Sequence, residues 1–537
     1  MAKTEAVEVD EVLRKGPEHV EEAVLARLTE EDVFKISEEA LTIRSWTGVR
    51  LGLIMFVQGC NQAGFGVDWG VISGIDALDA WHAYFGFGTA GSTYGLINAL
   101  MSIGTVCGAP FMAFADVIGR RGINFTGNAI VLLAAILQGC AINLPMFMAG
   151  RFFMGFGTAL MSSSQYIGEV SPMHLRGRMV GFFGACYQVG SLAILGAMVG
   201  LENLPGNRSW RTPLLLEAIF PGIVCVTIFL LTPESPRFYI MKGQREKAKQ
   251  VVAKYHTTSG DINEPIVEIA VRQMEESLEN DRAGFRAFWD YRVFFTKTVR
   301  YRLLVLTLYS IFQQWNGGGI ISYYLTPALG TIGIDDTKQQ LGINIGSTAT
   351  YFVFTAIGSF LVDIFRRRTL IFAGLISMII FQTATTITSW RYSVSTSNAT
   401  AALTILWIFL YQAFSASLIA TMHNLYPVEV LSLALRAKGM GLYSLIQGGA
   451  GAVQTYGISV GIDKLGYKIW VVYIVYNTVQ LVLAYFTFPE TSGLSLEEID
   501  KVFETPGVWP VKMSLDIETA KKERVAAERD EEAIAGR

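Results

Sequence analysis

The amino-acid sequence predicts an all-α integral membrane protein of twelve transmembrane helices, arranged as two similar six-helix halves. Three observations carry that expectation. The chain of 537 residues is 51% hydrophobic and only 17% charged, whereas an ordinary soluble domain is about 25% charged. Its apolar residues gather into twelve long runs. Three charged motifs each occur twice, in the same order.

A helix needs about 20 apolar residues to cross about 30 Å of hydrocarbon, so twelve spans use roughly half of the chain. The first six runs lie at about 48–72, 92–115, 123–142, 146–168, 178–200 and 213–232. A polar stretch at about 235–300 follows, with helix-forming runs such as QREKAKQVVAKY. Six more runs lie at about 302–326, 342–363, 369–390, 402–424, 439–461 and 467–488. The expected organisation is an N-terminal tail (1–47), a six-helix half (48–234), a central loop with short helices (235–300), a second half (301–489) and a charged tail (490–537). The first 45 residues hold no uninterrupted apolar stretch, so no cleavable signal peptide is expected and span one directs insertion.

Charge sets the expected orientation. With an even number of spans, both termini lie on one side. The loops of that side carry Arg120 and Arg121, Arg176 and Arg178, Arg366 to Arg368, and Arg436 with Lys438, besides the basic central loop. The positive-inside rule makes that side cytoplasmic. The sequons at Asn207 and Asn398 then fall outside, as possible glycosylation sites. Five cysteines sit inside apolar stretches without CxxC spacing, and five histidines form no metal motif. No metal, cofactor or nucleotide site is expected, and no enzyme. A net charge of −3 suggests no nucleic-acid partner.

The repeated motifs are short. Asp116-x-x-Gly119-Arg120-Arg121 follows span two, and Asp363-x-x-Arg366-Arg367-Arg368 follows span eight. Glu169 and Arg176 follow span four, and Glu429 and Arg436 follow span ten, in both cases seven residues apart. Pro233-Glu234-Ser235 and Pro489-Glu490-Thr491 follow spans six and twelve. The offsets between halves are 247, 260 and 256 residues, which marks a duplicated six-span unit. Carboxylates and guanidiniums at helix ends on one membrane face form charge-assisted pairs between helices. Asp116, Arg120, Arg121, Glu169 and Arg176, with Asp363, Arg367, Arg368, Glu429 and Arg436, are the candidate latch. The plainer reading of each cation is the positive-inside rule.

Two six-span halves around a midplane site is the build of a rocker-type transporter. Over about residues 48 to 505 the chain resembles the major facilitator superfamily, and within it the sugar porter family. The carrying motifs are Gly66-Val67-Asp68-Trp69-Gly70-Val71-Ile72-Ser73-Gly74, Gly119-Arg120-Arg121, Arg151 with Gly155-x-Gly157, Pro233-Glu234-Ser235-Pro236-Arg237, Gln313-Gln314-Trp315-Asn316-Gly317 with Tyr323-Tyr324, and the run from Pro489 to Glu498. The stretch Tyr426-Pro427-Val428-Glu429 with Arg436-Ala437-Lys438-Gly439 looks most like the fungal lactose-permease and hexose-transporter branch.

A carboxylate inside a membrane span is a functional candidate by default, which singles out Asp68. The resemblance pairs it with Arg151 in span four and implies proton coupling; a static buried ion pair is the alternative. Mid-span amides at Gln313 and Gln314 suit hydroxyl-rich ligands, and also interhelical hydrogen bonds. The resemblance implies that they contact a sugar. Asn316, Gln188, Asn424 and Gln447, with His423, are further pocket candidates. Gly317-Gly318-Gly319 loosens span seven, and Tyr323 and Tyr324 beyond it are read as a gate or as interfacial aromatics. The family's usual Asn is Gly319 here, its helix-five Gln is Gly184, its helix-eight Asn is Tyr351, and Arg366 stands for a Gly. The expected function is transport of a sugar or sugar-like solute by alternating access, with proton symport, in the plasma membrane. An uncoupled facilitator, a transporter of another polar metabolite and a non-transporting sugar sensor are the alternatives.

Overall fold

The computed structural model describes residues 30–521 apart from 162, 282–291, 297–298, 433–434, 493, 495 and 506–507. The described chain is helical, and its helices follow the twelve predicted runs in order. Span one is Trp46–Ile75, and the next five are Ser92–Ile118, Arg120–Gly139, Leu144–Val170, Arg176–Leu201 and Arg208–Leu231. Span seven is broken into Arg300–Trp315 and Gly318–Tyr323. Thr337–Ile364, Arg367–Ser395, Asn398–Val430, Arg436–Leu465 and Ile469–Thr487 complete the set.

Among the described residues, nine helical segments are long and apolar enough to cross a bilayer, and one of them, Lys438–Thr487, holds spans eleven and twelve. Spans one and seven are absent from that set for local reasons. Gln58, Asn61, Gln62 and Asp68 dilute span one, and the break divides span seven. Large apolar side chains such as Leu133, Val226, Leu230 and Phe360 stand more than half exposed. That is the surface of a protein whose solvent is lipid.

Two compact units divide the chain. The first holds Met1–Val71 and Gly104–Phe285, the second Ile72–Ile103 and Arg286–Arg537. Within the first unit, spans one and five touch backbone to backbone. A Cβ on Gly66 would lie 1.9 Å from Tyr187 O, and one on Gly190 would lie 2.2 Å from Ala63 O. Small residues permit such approach between helices that gain nothing from burying leucine in lipid. Gly66→Ala is therefore expected to cost about 1–3 kcal/mol of stability through overpacking. A lowered thermal midpoint in detergent is the check, with Gly52→Ala, which meets nothing within 4 Å, as the control.

The central loop folds as predicted into short helices, Pro236–Met241, Arg245–His256 and Pro265–Asp281. The tail helix Glu30–Ala40 packs on them through Val33 and Ile36, against Val252, Val267 and Val271. Arg245 pairs with Glu268 and Glu275, and Lys249 with Glu268. His256 Nε2–H donates to Val170 O at 3.0 Å, docking the loop on the end of span four. Burial, helped by the neighbouring Arg176 and His174, pushes its pKa down from 6.5 to about 4. A folded value below the unfolded one means that this contribution is complete above the unfolded pKa and is lost as pH falls toward the folded one. The protection of the Arg245–His256 amides against hydrogen exchange, relative to the intrinsic rate at each pH, is expected to fall as pH drops from 6.5 toward 4, and His256→Gln is expected to flatten that dependence.

Candidate functional site

In the first unit, the close seam of spans one and five places Asp68 inside the bundle. Gly70 leaves no room for a Cβ, which would sit 2.5 Å from Ile194 Cγ2. Arg151 arrives from span four, where Asn143 caps the helix by accepting from Met146 N at 2.9 Å. Arg151 Nη1 donates to Asp68 Oδ1 at 2.7 Å, and the two residues are 1% and 2% exposed. The two residues singled out from the sequence therefore meet.

A third charged group stands beside them. Glu217, 2% exposed, falls between the two helical pieces of span six, Arg208–Leu216 and Ile219–Leu231. Its charged neighbours are Asp68 and Arg151. Neither of its carboxyl oxygens has a hydrogen-bond partner among the described residues. The sequence reading passed over Glu217, although the rule that selected Asp68, a carboxylate within a membrane span, applies to it equally. Gln188, half-buried on span five, belongs to this unit.

The second unit carries the helix-seven glutamines. Its dominant feature is the break after Trp315. Gly317 adopts φ +95, and a Cβ there would collide with Gln382 Nε2 at 2.3 Å. The carbonyl of Asn316, freed from the helix, accepts from Gln382 Nε2 (2.8 Å), Asn477 Nδ2 (3.0 Å) and Tyr411 Oη (3.2 Å). Asn316 Oδ1 accepts from Gly318 N at 2.8 Å, and its Nδ2 donates to Gln313 O at 3.2 Å. The Asn316 amide thus braces the break. Three buried polar groups on spans nine, ten and twelve hold this kink, and nothing in their sequence spacing announced them.

Gln313 meets His423, which meets Gln447, so three of the predicted pocket residues form one cluster. Gln314 lies against Gly451, whose Cβ would stand 3.3 Å from its Oε1. The side chain of Asn424 lies outside the described residues. A π-helical turn at Ala416–Ala420 re-phases span ten just before His423. Tyr324 is fully buried; its hydroxyl donates to Thr455 O at 2.6 Å and accepts from Asn98 Nδ2 at 3.3 Å. It is a strut, with the Tyr94 ring edge-on 5.3 Å away. Tyr323 O accepts from Tyr94 Oη at 3.4 Å.

The repeated charged motifs fold into the same clamp twice. In the first unit, Arg120 forks onto Glu169 (3.2 and 3.3 Å), Ser235 Oγ donates to Glu169, and Glu234 accepts from the Arg120 backbone N (2.8 Å). Tyr166 Oη donates to Pro233 O at 2.6 Å. In the second unit, Arg367 forks onto Glu429 (3.2 and 3.1 Å), Thr491 Oγ1 donates to Glu429 (2.6 Å), and Glu490 accepts from the Arg367 and Arg368 backbone N (3.1 Å each). Tyr426 Oη donates to Pro489 O at 3.0 Å. The partner of Glu169 is Arg120, not the Arg176 that the seven-residue spacing suggested. Asp116 pairs with Arg120 at 2.6 Å but is well exposed, and Arg121 approaches Glu234 at 3.6 Å. The side chains of Asp363 and Arg436 lie outside the described residues. Gly119 needs φ +88, whereas Arg366 sits at an ordinary φ of −62 and turns outward to Glu518 at 2.8 Å.

Residues 54–503 match the family described as Sugar (and other) transporter. The chain is 28% identical over 485 residues to the MFS-type transporter oryC of Aspergillus oryzae, covering 88% of each. It is 26% identical over 494 residues to myo-inositol transporter 2 of Schizosaccharomyces pombe, covering 88% of this chain and 84% of that one. With the high-affinity glucose transporter of Kluyveromyces lactis it shares 25% over 475 residues, 84% of each. The inward-open xylose transporter XylE from E. coli has the same fold, with a TM-score of 0.69 at 21% identity, covering 84% of this chain and 99% of that one. With its twelve spans, its doubled clamp and a matching region that takes in all but the ends of the sequence, the chain belongs to the Sugar (and other) transporter family of the major facilitator superfamily.

Proposed function

We propose that the protein is a symporter that couples a sugar or sugar-like polar solute to protons by alternating access. The observation that carries this reading is the buried group Asp68, Arg151 and Glu217. Two carboxyls face one guanidinium, so the group is charge-balanced when it holds a single proton. In low-dielectric surroundings an unbalanced charge is costly, which makes proton uptake and release the natural response to a change in exposure. A proton moving through 100 mV supplies about 2.3 kcal/mol, enough to concentrate a neutral solute roughly fortyfold.

The solute contacts fall to Gln313 and Gln314, with Gln188, Asn424 and Gln447 as the supporting set, and Tyr323 as the gate residue. Relatives named for glucose and for myo-inositol support a polyhydroxylated solute. The arginine-rich loops favour both termini in the cytoplasm and the Asn207 and Asn398 sequons outside, with the plasma membrane as the site of action. The test is uptake of labelled mono- and disaccharides and polyols by transporter-null cells, at acidic and neutral external pH, with and without a protonophore. Accumulation of one solute that the protonophore abolishes supports the reading. No uptake of any member by a folded, surface-expressed protein overturns the sugar assignment.

A further inference from the structure

Gln313, His423, Gln447 and Tyr443 form a hydrogen-bond relay whose direction is set by one backbone carbonyl. Tyr443 Oη lies 2.8 Å from His423 O. A carbonyl only accepts, so the single hydroxyl proton of Tyr443 points there. Gln447 Nε2 lies 3.3 Å from the same hydroxyl oxygen. That oxygen has only lone pairs left, so Gln447 turns its NH2 toward it and not its carbonyl. The same Gln447 nitrogen lies 3.2 Å from His423 Nε2. Facing a donor, Nε2 must accept, and a neutral imidazole then carries its one proton on Nδ1. Nδ1 lies 3.3 Å from Gln313 Oε1, which accepts that proton.

The relay leaves one group over. Gln313 Nε2 is buried and has no hydrogen-bond partner among the described residues. The hydroxyl of Tyr309 is its polar neighbour; its proton goes to Met422 O at 3.0 Å, so its oxygen lone pairs face one N–H of this NH2 and the other N–H is left over. A buried N–H without an acceptor is costly, and a ligand oxygen relieves that cost.

We propose that His423 is a positioning residue that fixes the hydrogen-bonding polarity of Gln313, so that the transported solute meets an amide NH2 donor there and must bring an acceptor oxygen. The proposal deepens the reading of Gln313 as a solute contact and rests on it. It also gives a chemical role to a histidine set between two amides. A solute group that only accepts, such as an ether or carbonyl oxygen or a fluorine in place of a hydroxyl, satisfies this position. A group that can only donate does not.

Two measurements test it. The first needs no solute: 15N NMR of the imidazoles in the full chain in lipid nanodiscs. The sequence has five histidines, and the His423 signals are those lost in His423→Gln. The expected result is the Nδ1–H tautomer, converting to a mixture in Tyr443→Phe, which removes the anchor of the relay. The Nε2–H tautomer or an imidazolium at neutral pH overturns the proposal. The second is competition for uptake by the monodeoxy and deoxyfluoro forms of D-glucose. At one ring position the deoxy form is expected to lose about tenfold in affinity, the worth of one buried hydrogen bond, while the fluoro form keeps it. His423→Leu is expected to erase that difference, raising KM more than it lowers the maximal rate. Equal loss by both forms at every position overturns the proposal. The Nδ1–H tautomer with no competition from any sugar or polyol supports the relay and overturns the sugar reading instead.

Discussion

Asp68→Asn is expected to abolish accumulation of the solute against its gradient while exchange of solute down its gradient continues. At 100 mV the loss is from roughly fortyfold accumulation to none. Asparagine keeps the shape and the hydrogen-bond acceptor for Arg151 Nη1 but cannot bind and release a proton. The variant should remain folded, because Arg151 keeps Glu217 as its charge partner. The double variant Asp68→Asn with Glu217→Gln removes both carboxylates beside the buried guanidinium, and is expected to lose about 3–5 kcal/mol of stability. Accumulation and exchange are read in the same cells, and thermal stability in detergent separates loss of coupling from loss of fold. A static ion pair that only fixes packing predicts the reverse for the single variant: lowered stability with coupling intact.

Arg120→Ala is expected to destabilise the first unit by about 3–5 kcal/mol, the usual consequence of stranding a buried carboxylate. The stranded group is Glu169, whose side chain is 6% exposed, as is that of Arg120. The equivalent Arg367→Ala should cost less, because Arg367 and Glu429 are 13% and 18% exposed and water can take over part of the lost contact. Asp116→Ala should cost under about 1 kcal/mol, since Asp116 is 61% exposed in its pair. Thermal unfolding of the variants, with a double-variant cycle of Arg120→Ala and Glu169→Gln, measures the coupling. Additive effects in that cycle would show that the fork does not act as a unit.

Much of this architecture was legible because membrane insertion writes itself into long apolar runs, and because duplication repeats charged residues at nearly constant offsets. Glu234 and Glu490 show both the power and the limit of that reading. Their motifs marked the repeat, yet nothing in the spacing says that Glu234 caps the start of span three, and Glu490 the start of span nine, each through two backbone N–H groups. The pairing of Glu169 was misread for a related reason. Seven residues place Arg176 near in sequence, but Arg120, from a different helix, fills the pocket in three dimensions. The place of Asn316 beside two glutamines says nothing of its bracing role, which follows from Gly317, whose positive φ frees a carbonyl that three distant side chains must satisfy. Glu217 was legible and overlooked, lying in a run whose overall apolarity hid it. The His423 relay was not legible, because its direction depends on a backbone carbonyl that only the folded chain brings to Tyr443.

The central claim is that the Asp68, Arg151 and Glu217 group couples solute movement to protons. The most direct measurement is made on purified protein in sealed liposomes holding a pH indicator, with an inward proton gradient imposed and labelled solute outside. The account predicts solute accumulation accompanied by internal acidification beyond the leak, with both lost in Asp68→Asn. Solute that merely equilibrates with no added proton entry in the native protein, or uphill accumulation that survives in Asp68→Asn, would contradict it.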